Sequence, residues 1–241
     1  MTVLASLRTA AALVLVAAST ILLGPPTIVI GWLFNWPNLP FQAGIVTVRL
    51  ALAVVGLRYV VEGREHILDR PAIYCVNHTS NVEPPLLFEA LSPLFPRLSV
   101  LYKAELRKLP ILVRAFDLAG FVPLERNNPE QSLPAIERAA EALRNGSSFM
   151  IFPEGTRSRS GALLPFKKGG FIMAIKAQAP IVPTAILGAR DAMRKGSFII
   201  QPVTVKVKFS PPVETTGLTL DDRDRLSDVV RERVATLLAE G

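Results

Sequence analysis

A long apolar N-terminal stretch without a charged side chain constrains the fold of this 241-residue chain more than any other feature. Arg8 and Arg49 bracket the stretch, and Pro25 and Pro26 interrupt it. A helix that spans the hydrocarbon core needs about 20 apolar residues, and the part before the prolines is marginal by this measure. Because proline kinks or breaks a helix, the two apolar parts need not form one straight span.

Three interpretations of this stretch remain open. A cleaved signal peptide has a positive start, an apolar core and a small-residue site, which Arg8 and residues 17–19 provide. A single kinked spanning helix is the second interpretation, and a helical hairpin that dips into one leaflet or packs on the domain is the third. The apolar stretch continues far beyond a cleavage site, and Trp32 and Trp36 are typical of the membrane interface. We therefore expect residues 1–56 to be retained as hydrophobic membrane-anchoring helices.

The overall composition favours an anionic partner. Half of the residues are hydrophobic, the mean hydropathy is +0.36 and the formal net charge is +7. A positive charge of this size suits nucleic acid, an anionic membrane surface or a phosphorylated substrate. The basic residues 103–114 lack interleaved aromatics and any nucleic-acid motif, so they fit a membrane-surface element better, and a solvated helix face also remains open. We expect anionic membrane lipid, and no nucleic acid, among the partners.

From Leu57 onward, short apolar runs alternate with helical patterns. Strands are predicted at RYVVEG, PAIYCVN, LSVLYK, FVPLER, SSFMIF and IVPTAILG, with FIIQPVTVKVKFSPP as one long or two short strands. Helices are predicted at VEPPLLFEALSPL, AELRKLPILVRAFDLAG, NNPEQSLPAIERAAEALRNG, GGFIMAIKAQA and DDRDRLSDVVRERVATLLAEG. This alternation indicates an α/β domain over residues 57–241, with a mostly parallel central sheet flanked by helices.

Cysteine and histidine are scarce in this chain. The single cysteine, Cys75, excludes an internal disulfide, and its apolar surroundings favour a small buried side chain. With His66 and His78 as the only histidines, the usual ligands of a zinc site are lacking, so we expect no metal. A general base that works near neutral pH has equally few candidates.

Residues 77–85, NHTSNVEPP, lie where a predicted strand ends and a helix begins. Functional groups of open α/β sheets gather at such strand ends. On one continuous helix His78 and Glu83 lie about 140° apart, so they meet only if His78 precedes the helix. The carboxylate then fixes the tautomer of the ring and leaves the other nitrogen as a base. From spacing alone the plainer interpretation is favoured, in which His78 caps the helix and Glu83 is a favourable first-turn charge.

A second polar segment, IFPEGTRSRSG at residues 151–161, runs from a buried strand into a loop. Gly155 permits a close approach of the backbone to a ligand, and Thr156 and Ser158 offer hydroxyl groups. Arg157 offers a planar fork suited to phosphate. The Gly-Lys-Ser/Thr order of a Walker loop is absent. A phosphate site and an ordinary turn with a solvated basic edge both remain open.

The order of these segments identifies a family. NHTSNVEPP, GFVPLER, FPEGTRS and IVPTAI closely resemble the four ordered blocks of the glycerolipid acyltransferase family, and within it the 1-acyl-glycerol-3-phosphate acyltransferases. The resemblance spans residues 59–209. The family's first block has His, four residues and then Asp, whereas this chain has Glu83, whose extra methylene moves the carboxylate by about 1.5 Å.

The resemblance implies direct transfer of an acyl group from acyl-CoA or acyl carrier protein to the sn-2 hydroxyl of lysophosphatidic acid, without a metal or other cofactor. His78 takes the hydroxyl proton, and Glu83 orients the imidazole and stabilises its cation. The family's glycerol-phosphate-binding residues match Arg126, Glu154, Gly155, Thr156 and Arg157. Lys103 matches a family lysine near the site, and Pro183 is expected to shape the wall of the acyl site.

The expected product is phosphatidic acid, for phospholipid biosynthesis, formed at the cytoplasmic face of the cytoplasmic membrane. The motifs leave other acceptors open, namely glycerol-3-phosphate, another lysophospholipid or a lyso-aminolipid. A non-catalytic membrane lipid-binding module is the alternative from another class, and the presence of both His78 and Glu83 argues against it. A hydrolase normally needs a nucleophile motif such as Gly-x-Ser-x-Gly, which the chain lacks.

Overall fold

The structure is a computed structural model that describes residues 2–36, 38–108, 113, 116–117, 120–124 and 129–241. The α-helices are α1 (Thr2–Leu22), α2 (Gly24–Leu33), α3 (Leu39–Val55), α4 (Glu83–Ala90), α5 (Pro129–Arg144), α6 (Gly169–Ala177), α7 (Ala189–Ala192) and α8 (Arg223–Ala239). The strands are β1 (Arg58–Glu62), β2 (Ile73–Val76), β3 (Leu98–Lys103), β4 (Val122–Leu124), β5 (Ser148–Ile151), β6 (Ile181–Leu187) and β7 (Thr204–Phe209). Short 3-10 helices occupy Arg64–His66, Ser92–Leu94, Ala104–Lys108 and Leu220–Asp222.

The strands of the described residues form one seven-stranded sheet in the order β1-β7-β6-β2-β5-β3-β4. The strands from β6 to β4 are mutually parallel, whereas β7 is antiparallel to β6 and pairs in parallel with β1. In the centre, Cys75 of β2 is flanked by Ile151 of β5 and Pro183 of β6. The predicted α/β fold with a mostly parallel sheet is therefore confirmed.

Both faces of the central strand β2 are covered. Tyr74 and Val76 pack in an apolar cluster with α3 and α4, while Ile73 and Cys75 pack in a second cluster with α5, α6 and α8. Successive side chains of a strand point to opposite faces, so an apolar run without alternation is what a doubly covered strand requires. Burial also raises the pKa of the Cys75 thiol, so this cysteine stays a protonated core side chain.

The N-terminal helices form a hairpin, the shape that the third interpretation of the sequence expects. Helix α1 packs against α3, and α2 connects them. The start of α1 lies beside the end of α3, because a Cβ added at Gly56 would lie 3.4 Å from Nη1 of Arg8. Pro25 and Pro26 fall in the first turn of α2, where a missing N–H is tolerated, so the break between α1 and α2 falls at Leu23.

This hairpin carries an extensive exposed apolar surface. Trp32 is 80% exposed and Trp36 is 49% exposed, and many leucine, isoleucine and valine side chains of α1 and α2 are also exposed. The segment Val3–Leu33 has the length and composition of a membrane span. Apolar surfaces of this extent mark a membrane or partner contact, and they support membrane association of the chain.

One predicted strand is shorter than expected. The segment FIIQPVTVKVKFSPP predicts a strand from Phe198 onward, but β7 begins only at Thr204. The N–H of Ile200 donates to Oγ1 of Thr9 in α1, at 2.9 Å, and Pro202 has no N–H to offer a ladder. The N–H of Gln201 donates to the carbonyl of Ala192 in α7, at 2.7 Å, so the donors of this segment are used outside the sheet.

The basic segment after β3 also differs from its prediction. Instead of starting as an amphipathic α-helix, it starts as the 3-10 helix Ala104–Lys108. Residues 109–112, 114–115 and 118–119 of the predicted helix lie outside the described residues.

Candidate active site

Two loops leave neighbouring parallel strands at the same edge of the sheet. The β2 loop comprises residues 77–82 and the β5 loop comprises residues 152–168. The N–H of His78 donates to Oε1 of Glu154 at 2.7 Å, and the N–H of Ser158 donates to the carbonyl of His78 at 2.7 Å. The backbone of His78 is thus held on both sides by the β5 loop.

Glu83 contacts the ring of His78 directly. Helix α4 begins at Glu83, so His78 lies in the loop before the helix, as a contact between the two side chains requires. Oε2 of Glu83 lies 2.6 Å from Nδ1 of His78. The Glu83 side chain is fully buried and that of His78 is 14% exposed. The contact occupies Nδ1 and leaves Nε2 as the ring nitrogen for a substrate.

The second oxygen of Glu83 is held by the β2 loop. Oε1 accepts hydrogen bonds from the N–H of Thr79 at 2.8 Å, from its hydroxyl at 2.6 Å and from the N–H of Ser80 at 3.0 Å. Hydrogen bonds to a charged carboxylate are stronger than those between neutral groups. They fix the rotation of the carboxylate and stabilise its negative charge without a cation, so the longer glutamate side chain is accommodated by the loop.

An aromatic ring of the β5 loop supports the other side of the imidazole. Phe152 stacks on His78 with ring centroids 4.1 Å apart and an interplanar angle of 25°. Sequence reasoning missed Phe152, although its position directly after β5 was a usable signal, because strand ends at this edge of the sheet collect at the site.

Glu154 uses both carboxylate oxygens within the protein. Besides the N–H of His78, it accepts the N–H of Leu164 at 3.0 Å through Oε2. Glu154 is only 3% exposed, and burial raises the pKa of this carboxyl, although the two N–H donors and the nearby His78 oppose the rise. In this structure Glu154 joins the β2 and β5 loops.

The remaining β5-loop residues form a turn with basic neighbours. Gly155 has φ +69°, and a Cβ there would lie 2.8 Å from Cε of Lys167. Lys195 donates from Nζ to Oγ1 of Thr156 at 3.2 Å and to the carbonyl of Arg157 at 2.8 Å. Sequence reasoning missed Lys195, because nothing in the pattern around it indicates that its loop folds onto the β5 loop.

The hydrogen bond of Pro183 and the ion pair of Lys103 lie outside the two loops. Lys103 ends β3 and forms an ion pair with its neighbour Glu105, with Nζ 2.8 Å from Oε1. Pro183 is buried within β6, and its carbonyl accepts the N–H of Ser210 at 2.9 Å. Arg126 lies outside the described residues.

A cavity of about 490 Å³ adjoins the histidine. Phe152 lines it, so the ring that stacks on His78 is also part of the cavity wall. The other apolar lining side chains are Leu101, Leu124, Leu133, Ile136, Ile151, Pro153 and Ile172. Gly155 and Lys167 line it as well. The site therefore combines a base candidate, a basic turn and an apolar chamber of ordinary ligand size.

Comparisons with known proteins find acyltransferases. Residues 58–187, which include both loops, match the acyltransferase family model. The 1-acyl-sn-glycerol-3-phosphate acyltransferase of Limnanthes douglasii is 34% identical over 197 residues, covering 80% of this chain and 69% of the relative. The alpha form of that enzyme from Homo sapiens is 32% identical over 187 residues, covering 77% and 65%. The crystal structure of PlsC, the 1-acyl-sn-glycerophosphate acyltransferase of Thermotoga maritima, has a TM-score of 0.83 and 26% identity, covering 99% of this chain and 97% of that one.

Proposed function

The chain belongs to the acyltransferase family, and on that premise we propose that it is a 1-acyl-sn-glycerol-3-phosphate acyltransferase. It moves a fatty acyl group from a thioester donor to the sn-2 hydroxyl of 1-acylglycerol-3-phosphate and so forms phosphatidic acid for phospholipid biosynthesis. The observation that carries the proposal is the 2.6 Å contact between His78 and Glu83 beside an apolar cavity.

His78 is the general base of this proposal. Its Nε2 takes the proton of the sn-2 hydroxyl while the oxygen attacks the thioester carbonyl carbon. The carbon–sulfur bond then breaks, and the leaving thiolate takes the proton from Nε2 and departs as a thiol. Glu83 stabilises the imidazolium that exists between these two proton transfers. General acid–base catalysis of this kind contributes about 10²- to 10⁴-fold, and the scheme uses no metal or other cofactor.

The acceptor phosphate binds at the basic turn of the β5 loop. Arg157 offers bidentate donors, Thr156 a hydroxyl, and Gly155 a backbone that a ligand can approach closely. Lys195 adds a second positive charge, since its ammonium group already contacts both Thr156 and the carbonyl of Arg157. Arg126 joins this set on the strength of the family resemblance.

The donor's acyl chain occupies the apolar cavity. Its lining is mainly apolar, with Ser132, Lys167 and Lys168 as the polar side chains, and Phe152 in its wall stacks on the ring of His78. A thioester carbonyl near His78 would then direct its chain into the cavity, where apolar burial stabilises the complex by about 0.8 kcal/mol per methylene. Either acyl-CoA or acyl carrier protein presents such a thioester.

The N-terminal hairpin holds the enzyme where its lipid substrate and product reside. In this proposal residues 1–56 anchor residues 57–241 at the cytoplasmic face of the cytoplasmic membrane. The exposed apolar surface of α1 and α2 enters the bilayer, and the basic 3-10 helix Ala104–Lys108 lies at the headgroups.

The decisive experiment compares the two histidines. His78→Ala should lower the rate of transfer from labelled palmitoyl or oleoyl thioester to lysophosphatidic acid by about 10²- to 10⁴-fold. His66→Ala is the matched control, because His66 belongs to a separate 3-10 helix and contacts only Glu65 among its described ion pairs. The control should retain its activity. Undiminished transfer by a folded His78→Ala protein would contradict the proposed base, and a panel of lyso-acceptors identifies the preferred acceptor.

A further inference from the structure

An open groove of about 660 Å³ lies between helix α3 and the edge strand β1, apart from the active site. Its polar lining comes chiefly from Arg49, Arg58 and Tyr59. Its apolar lining comes from Leu52, Ala53, Leu57 and Val60. A concave surface with a few convergent polar groups on apolar walls is the usual form of a ligand site, and its two guanidinium groups select for an anion.

The charges around the groove do not cancel. Arg49 donates from Nε and Nη2 to Oε1 of Glu89 at 2.9 and 2.7 Å, and the hydroxyl of Tyr59 donates to Oε2. Glu89 is buried, whereas the Arg49 side chain remains 58% exposed. Arg58 is exposed and forms no ion pair with any residue that the structure describes. One buried carboxylate therefore faces two guanidinium groups.

A third arginine adds to the positive potential. Burial and the hydrogen bond to Glu89 raise the pKa of Tyr59 to about 12, while the charges of Arg49 and Arg64 oppose the rise. Arg64 is exposed and begins the 3-10 helix that follows β1. The phenol of Tyr59 stays protonated and donates its hydrogen bond to Glu89, so it adds no negative charge to the groove.

The groove opens at the same end of the strands as the active site. Strand β1 pairs in parallel with β7, which is antiparallel to β6, so β1 runs opposite to β2. Arg58, at the start of β1, therefore lies at the same end of the sheet as His78, which follows the end of β2. Three strand spacings, about 14 Å, separate the two positions, so a molecule in the groove leaves the active site unobstructed.

An apolar stripe lies beside the groove on the neighbouring face of α3. Val46, Leu50 and Val54 recur at four-residue spacing and are all exposed, over a helix length of about 12 Å. Val46 and Leu50 each lie three residues before a groove-lining residue, Arg49 and Ala53, so the stripe and the groove adjoin on the helix surface. An amphiphile with its charged end at Arg49 and Arg58 would lay its apolar chains on this stripe.

We propose that this groove binds the anionic headgroup of a membrane phospholipid that is not the substrate, with its acyl chains against α3. The stripe favours a lipid over a soluble anion, because a free phosphate would leave those apolar side chains uncovered. Bound lipid would hold the sheet edge that carries the active site against the membrane surface. The proposal depends on membrane association and not on the chemistry assigned to His78.

The test measures flotation of the full chain with vesicles of phosphatidylcholine alone and with about one-fifth phosphatidylglycerol. Arg58→Gln should lower the preference for the anionic vesicles by about fivefold, since one basic residue at an anionic surface contributes about that factor. Arg138→Gln is the matched control, because it removes the same charge from an exposed position on α5, which packs on the opposite face of the sheet. Arg58→Lys should retain more of the preference than Arg58→Gln.

Equal losses in Arg58→Gln and Arg138→Gln would overturn the proposal, because diffuse surface charge would then account for the preference. Protection of Arg58 from guanidine-specific modification by inorganic phosphate as strong as that by phosphatidylglycerol would overturn the lipid assignment. Acyl transfer in neutral detergent micelles separates this proposal from the proposed function, because Arg58→Gln should transfer at the parental rate there. Loss of vesicle preference at that parental rate supports the groove site.

Discussion

The backbone N–H of His78 donates to Oε1 of Glu154 at 2.7 Å, so the residue proposed as the base is joined to the loop proposed to bind phosphate. Ser158 completes the connection from the other side by donating its N–H to the carbonyl of His78 at 2.7 Å. The two loops therefore form one unit, and a change in either one displaces the base. Glu154 contributes to the site by connecting the two loops.

The buried carboxyl of Glu154 should make stability depend on pH. Burial raises its pKa above the ordinary 4.5, so the folded protein binds this proton more tightly than the unfolded chain. The resulting stabilisation is present below the unfolded pKa and is lost as pH rises through the folded one. Melting temperature in neutral detergent should therefore fall more steeply from about pH 4 to about pH 7 in the parent than in Glu154→Gln, which cannot titrate. Parallel curves for the two proteins would contradict this assignment.

Glu83→Asp should lower kcat while leaving the acceptor KM unchanged. The shorter side chain withdraws the carboxylate by about 1.5 Å and loses either Nδ1 of His78 or the donors of Thr79 and Ser80. A misplacement of this size costs about 100-fold in rate. Glu141→Asp on the exposed face of α5 is the matched control. Steady-state kinetics with varied acceptor measures both constants, and an unchanged kcat would show that the start of α4 shifts to restore the contact.

Lys195→Met should weaken acceptor binding. Nζ donates to the Thr156 hydroxyl and to the carbonyl of Arg157, so its loss removes one positive charge and two hydrogen bonds from the turn. A hydrogen bond from the ammonium group to the acceptor phosphate would contribute about 1.5–3 kcal/mol, and its loss corresponds to a rise of roughly tenfold or more in the acceptor KM. Lys195→Arg, which keeps the charge, should show a smaller rise. A uniform loss of kcat without a change in acceptor KM would assign Lys195 a purely structural role.

Ile136→Phe should shift the enzyme toward shorter acyl donors. Ile136 is 7% exposed and lines the apolar cavity, so a larger side chain at this position shortens the space for an acyl chain. The ratio of kcat/KM for palmitoyl over dodecanoyl donor should fall about tenfold, in line with the discrimination that a methylene or two confers in an apolar pocket. Ile136→Val, which enlarges the cavity instead of shortening it, is the control and should not lower this ratio. The same ratio in all three proteins would place the acyl chain elsewhere.

Much of the fold was readable in the sequence for physical reasons. The run IYCV at β2 is apolar without alternation because helices cover both faces of this strand. Pro84 and Pro85 predicted a helix start, and α4 does begin at Glu83, since proline is tolerated in a first turn. Local signals of this kind need no knowledge of the rest of the chain.

The failures of prediction involve partners that are distant in the chain. The strand predicted over FIIQPVTVKVKFSPP begins only at Thr204, and the N–H of Ile200 before it donates to Thr9, 191 residues away in the chain. Lys195 lies 39 residues from Thr156, and no spacing rule connects them. A pattern along the chain cannot register a hydrogen bond whose two ends meet only after the sheet and the hairpin have formed.

The sequence by itself determined the α/β class, the apolar N-terminal segment and the candidate pair His78 and Glu83, because these depend on residue type, period and order. Only the tertiary structure decided which atoms of the two side chains meet and which other groups hold them in place. Parallel pairing of β2 and β5 brings Glu154 and Phe152 to His78, and the fold of the β2 loop directs three donors onto Oε1 of Glu83. With Oε1 held in this way, Oε2 remains for Nδ1, and the glutamate serves at a position where the family's pattern has aspartate.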